Sequence, residues 1–207
     1  MTTALQLLDE GISGAAVGAP LYHRVRPHWW LTKDGDLDCL DRYLRHYSAY
    51  HYADQRERKL FVGPGEKVVL RTERGDAFFV WRKFVDDCID QRTGQRQHGI
   101  NCAAFRNESG IRSSSLVEQA DRIADALWPG GRHYTYVNGA KVRSVNPGFC
   151  FLAAGWRRAG MTKGGLHVLE RVVRNNALDK RSTTAGRQAR AGENVPRTAR
   201  PDLVVCR

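Results

Sequence analysis

At 207 residues the chain is long enough for one domain with a full core and too short for two comfortable ones. Hydrophobic residues make up 42% and aromatic residues 9%, ordinary for a globular protein, so wholesale disorder is excluded. The 33 Lys and Arg against 22 Asp and Glu leave a formal charge of +11, which disfavours cationic partners and suits approach to a polyanion: nucleic acid first, an anionic membrane surface second. No segment approaches the roughly 18 consecutive apolar residues of a membrane span. The first twenty residues carry acids where a secretory leader needs bases. Cysteines at 39, 88, 102, 150 and 206 are odd in number with no C-x-x-C pair, which reads as reduced thiols in a cytoplasm. The seven histidines are scattered, without zinc spacing.

In chain order, residues 1–20 form a small-residue tail. "LYHRVRPHWWL" reads as an extended segment, after which Asp34 or Asp36 caps a helix running roughly from 36 to 51. Leu37, Leu40, Leu44 and Tyr47 step by three and four, so they form its expected core stripe, with His51 one turn further on. Gly63-Pro64-Gly65 breaks the chain. "EKVVLRTERGDAFFVWRKF" then predicts a β-hairpin around "ERGD". In its second strand both alternate sets carry bulky groups, as in a strand covered on both faces.

"GINCAAFRNES" predicts another strand, and "SSSLVEQADRIADALWPGG" a helix. Ser115 and Glu118 make its capping box, Leu116, Ala120, Ile123 and Leu127 its stripe, and Pro129-Gly130-Gly131 its stop. "RHYTYVN" is a strand, Pro147 opens a short helix through "GFCFLAAGW", and "GLHVLERVV" is a last strand. The alternation predicts an α/β fold, a mixed central β-sheet flanked by helices, over 21–173. After Glu170 the chain holds nine Arg or Lys against three acids. Residues 174–207, low in apolar periodicity, are expected to be a mobile basic arm that contacts phosphates of double-stranded DNA without reading sequence.

Residues 34–172 resemble the GNAT-like acyltransferase fold, in which a strand opens into a phosphate-binding turn and a later Asn-initiated helix ends at Gly-aromatic, here Gly155-Trp156. More narrowly, "HYA" (51–53), "FRNE" (105–108), "TYVN" (135–138) and "NPGFCFLAAGW" (146–156) resemble the Mom family of phage DNA-modification proteins. The resemblance implies a transferase that adds a small acyl-derived, carbamoylmethyl-type group to adenine N6 in DNA and blocks restriction in the host cytoplasm. It implies an acyl-CoA-type donor and raises iron or another divalent metal as a cofactor.

Candidate catalytic residues are His51 and Tyr52 on a charged, substrate-facing loop, Arg106 at a strand end, and Asn138 where related proteins carry an acid. His51 is a general base or metal ligand on this reading, and a packed stripe residue on the plainer one. Trp29 and Trp30 are candidates for stacking on a flipped base, or one of them for the core. The donor's phosphates are expected at Gly110, Arg112, Ser113, Ser114 and Ser115, with Asn146 opening the helix beside the donor. The turn departs from the acyltransferase pattern by one residue, and plain N-capping by serine is the alternative. Phe151 stands where these enzymes often have a tyrosine that protonates the leaving thiolate. Two other readings therefore stay open: a catalytically silent DNA-binding protein on this scaffold, and a conventional N-acyltransferase.

Overall fold

The apolar runs on either side of Glu73–Asp76 fold as the hairpin their turn dictates, and the rest of the sheet is built outward from it. The computed structural model describes residues 23–49, 59–83, 94, 96–142 and 144–172. In chain order the elements are β1 (His23–Arg24), β2 (Trp30–Thr32), α1 (Leu37–Leu44), β3 (Glu66–Arg71), β4 (Ala77–Lys83), β5 (Ile100–Asn107), α2 (Ser113–Leu127), β6 (His133–Val137), α3 (Phe149–Ala153), β7 (Arg157–Met161) and β8 (His167–Arg171). The strands form one sheet in the order β1-β2-β3-β4-β5-β6-β8-β7. Neighbours are antiparallel except β5 and β6, which run parallel. This is the mixed α/β sheet expected from the alternation of elements.

Both faces of the central hairpin are covered, because alternate side chains of a strand point to opposite faces. Val68, Leu70, Phe79 and Trp81 join α2, Phe151 and Trp156 in one core cluster. Val69, Phe78 and Val80 join Cys39, Tyr43 and Phe61 in a second cluster, with α1. Phe78 and Phe79 are fully buried on opposite faces, each contributing about 2–3 kcal/mol of apolar burial. Trp29 is buried as well, T-shaped against Phe79, and its indole N–H donates to the Leu116 carbonyl (2.8 Å), tying β2 to α2. It is therefore a core residue, not a base-stacking one.

Asp36 is the N-cap of α1, its Oδ1 accepting from the Cys39 N–H (3.0 Å). The helix is shorter than expected and its buried stripe is different. Cys39 and Tyr43 face the core while Leu37 is 79% exposed. α2 starts two residues before Ser115, with Arg112 at the N-cap and no side-chain capping bond. The capping box does not form, and Glu118 is exposed. The inward stripe of α2 is as expected, widened by Val117 and Ala124.

The helix after Pro147 is only five residues long. Gly148 precedes it at φ 80°, a left-handed conformation that favours glycine, and a Cβ there would strike the Leu169 side chain. That double constraint explains the glycine of the Asn-Pro-Gly start. β7 was not foreseen: its "RRAGM" pairs with β8 at the sheet edge, where the burial pattern leaves only Ala159 inside. The extended "LYHRVRPHWWL" contributes two short strands, β1 and β2. The described residues all fall in one compact unit. The two tails expected at 1–20 and 174–207 lie outside the described residues.

Candidate functional site

The parallel strands β5 and β6 touch over only three registered pairs, Ile100 with His133, Asn101 with Tyr134 and Cys102 with Thr135. Beyond them β5 stays with β4 as far as Asn107, and β6 stays with β8 as far as Val137. The two strands separate, and backbone groups that would have paired face a gap. A cavity of about 760 Å³ occupies it. Its walls are residues 101–107 of β5, 135–138 from β6, the 46–49 segment after α1, and Cys150 and Phe151 of α3.

Buried carbonyls that lose a ladder partner need another donor, and the segment after α1 supplies two. The His46 ring hydrogen-bonds the Phe105 carbonyl on one wall. The Tyr47 hydroxyl donates to the Tyr136 carbonyl on the other, at 3.4 Å. One His-Tyr dipeptide thus bridges the split, the two rings 4.3 Å apart.

Burial, reinforced by the Arg106 cation, lowers the His46 pKa from its ordinary 6.5 to about 4. The imidazole is neutral at physiological pH and can accept a proton. Its Nδ1 lies 2.7 Å from the Ser48 hydroxyl and also accepts the Ser48 N–H (3.3 Å). Nδ1 is the acceptor in this arrangement, and Ser48 presents its hydroxyl to the cleft. Burial raises the Tyr47 phenol above its ordinary value, so it stays protonated and able to donate. Burial likewise raises the Cys150 thiol. Phe151 lies against the cleft, edge-on to Phe105 at 6.0 Å.

Of the expected catalytic residues, Arg106 and Asn138 both line the cleft. Arg106 Nε donates to Glu108 Oε1 (2.6 Å) and Nη1 to the Arg45 carbonyl (2.7 Å), which fixes the guanidinium at the rim. That ion pair, with Arg45 and Arg42 nearby, holds Glu108 below the usual carboxylate range. Asn138 Oδ1 accepts the Ala140 N–H (3.1 Å), shaping the turn after β6. His51 and Tyr52, and with them the candidate metal ligand, lie outside the described residues.

The expected phosphate turn is organised by a residue that the sequence reading passed over. Asn107 Nδ2 donates to the Ile111 carbonyl (2.7 Å) and to Ser113 Oγ (2.9 Å), and its Oδ1 accepts from Ser109 N–H and Oγ. An Asn ending a strand before Ser-Gly was the available signal. Among the expected donor-binding residues, Ser113 alone lines the cleft. Gly110 and Arg112 are exposed at its margin, Ser114 is buried, and Ser115 Oγ accepts from Gln119 (3.4 Å). Asn146 is outside the lining: its Oδ1 accepts from Arg158 (2.7 Å). Trp30 is half-buried in β2 and likewise outside it.

The donor set fits an anionic thioester in part: an apolar-walled slot ends beside the first turn of α2, whose N-cap side chain leaves the orphan N–H groups uncapped. No group of three or more His, Cys, Asp or Glu positioned to hold a metal occurs among the described residues. No described helix is long and apolar enough to cross a membrane. No protein-family model, curated protein or solved structure matches the chain.

Proposed function

We propose that the protein is a GNAT-like transferase that moves a small acyl-derived group from an acyl-CoA-type donor to the N6 amine of adenine in DNA. The observation that carries this reading is the parting of β5 from β6 after three pairs, with a slot of about 760 Å³ between them and the start of α2 at its margin. An acyltransferase of this fold needs such a slot for the donor, with the reacting carbonyl against strand edges and phosphates near a helix start. The +11 charge supports a nucleic-acid acceptor.

Within the slot each residue has a task. Neutral His46, acting at Nδ1 through the Ser48 hydroxyl, takes the proton that the adenine amine sheds as its nitrogen bonds the donor carbon. Tyr47, kept protonated by burial, supplies the proton to the leaving thiolate that Phe151 lacks. Arg106 faces developing negative charge on the transferred group, and Asn138 offers an amide for orientation.

Mass spectrometry of nucleosides from DNA of cells expressing the protein tests the reading. A new N6-modified adenosine is the expected result. Unmodified DNA from cells that contain the folded protein overturns it and favours the catalytically silent DNA-binding protein, for which Phe151 in the place of a tyrosine is the supporting observation.

A further inference from the structure

The segment between β6 and α3 carries apolar side chains that the proposed chemistry does not use. Val145 is fully exposed (107%) and Phe149 is 61% exposed. Single exposed apolar residues are ordinary, but these two stand at the edge of the cleft. Asn138, Lys141 and Gly148 of the same segment line it.

Val145 is also held out by design of the local backbone. Ser144 Oγ accepts the Asn146 N–H (3.1 Å), the Asn146 carbonyl accepts the Phe149 N–H (3.1 Å), and Arg158 donates to Asn146 Oδ1 (2.7 Å) and to the Pro147 carbonyl (3.4 Å). The residue after Val145 is therefore anchored on three sides, and the tip cannot fold back without breaking those bonds. Residues 138–169 contain five Lys or Arg and no Asp or Glu. Arg158 is pinned beside the tip, and Lys141 is exposed on the cleft rim.

We propose that Val145, with the exposed Phe149 of the same segment, is a wedge that enters the base stack of duplex DNA and fills the space an adenine leaves as it turns into the cleft. The inference rests on the reading that adenine in DNA is the acceptor. An adenine N6 inside a duplex cannot reach a cleft unless the base is extruded from the stack. Burying an exposed apolar side chain in the vacated space offsets part of that cost, and apolar wedges flanked by phosphate-binding cations are how proteins unstack a base step. Two apolar tips are too little area for stable seating on a membrane, so the same cations and apolar tip favour DNA.

The test uses full-length wild-type protein, Val145→Ser, Phe149→Ser and, as an exposed apolar residue elsewhere, Leu37→Ser. Permanganate oxidises unstacked thymines, so on plasmid duplex it reports the orphaned partner of an extruded adenine with no donor present. Wild type and Leu37→Ser should create reactive thymines. Val145→Ser should lower that reactivity at least tenfold, and Phe149→Ser less. Val145→Ser should also lower the ratio of adenosine adducts formed on duplex to those formed on single strands. Reactivity unchanged in Val145→Ser, or absent with wild type, overturns the wedge. Reactive thymines without any adduct would retain the wedge and remove the chemistry, whereas equal duplex adducts from wild type and Val145→Ser would do the reverse. Val145-dependent sedimentation with phosphatidylserine vesicles, without thymine reactivity, would overturn the wedge in favour of a membrane surface.

Discussion

Two histidines, one on each side of β5 and β6, show how the same side chain is used for two ends. His133 is completely buried. Its Nδ1 lies 2.7 Å from Asp121 Oδ1, Trp81 and Trp156 pack around the ring, and Asp121 Oδ2 accepts the Trp156 indole N–H (2.9 Å). Arg171 closes the cluster, bidentate on Asp125. Among the described residues His46 has no carboxylate partner; it meets the Ser48 hydroxyl and N–H and a backbone carbonyl, and it stands in the cleft. A histidine whose polar neighbours are all fixed within the fold is a strut. One whose acceptor nitrogen meets a hydroxyl on a cavity wall is available for proton transfer.

Breaking the strut should have the largest effect. Asp121→Ala strips hydrogen-bond partners from His133 and Trp156 at once in a dry site, and should lower unfolding free energy by about 3–5 kcal/mol. Urea denaturation checks this, and a loss below about 1 kcal/mol would show that the cluster carries little of the fold. His46→Gln should do the opposite: unfolding free energy within about 1 kcal/mol of wild type, and adduct formation on DNA reduced about 100-fold or more. Full activity in that variant would make His46 a strut as well, and shift the search for a base to His51.

The smallest expected effect sharpens the contrast through pH. The His46 pKa in the folded chain is about 4, below its ordinary 6.5. As pH falls, the unfolded chain takes up this proton first, so stability is lost between pH 6.5 and 4 and no further below. Comparing urea midpoints at pH 7 and pH 5, wild type should lose more than His46→Gln, and equal losses would place the imidazole in ordinary solvent.

The elements were legible where a period or a turn dictated them: the β3–β4 hairpin, β5, the inward stripe of α2, and β8. β7 was not, because an edge strand with one inward residue has no apolar alternation to read. The stripe of α1 was misread because leucine spacing alone favoured Leu37, whereas the face of the helix turned to the core carries Cys39 and Tyr43. Arg106 and Asn138, singled out from their places at strand ends, line the cleft. Tyr47 was expected in the core stripe of α1, but the helix ends at Leu44, so Tyr47 and its neighbour His46, which had no role in that reading, fall on the cleft wall. Only the parting of β5 and β6, a tertiary event, gives this His-Tyr pair two carbonyls to bridge. Capping serines were overvalued at 115 because Asn107 orders the turn before them.

The last registered pair of the parallel strands is Cys102 with Thr135, and there the Thr135 hydroxyl donates to the Cys102 carbonyl (2.9 Å). A side chain does at that point what the next backbone amide would do in a continuing ladder. The threonine works as the bottom stop of a zip: below it the sheet is closed, above it the two strands are at liberty to follow different neighbours. The depth of the cleft, and with it the length of any molecule that lies there, is set by the position of one hydroxyl along β6.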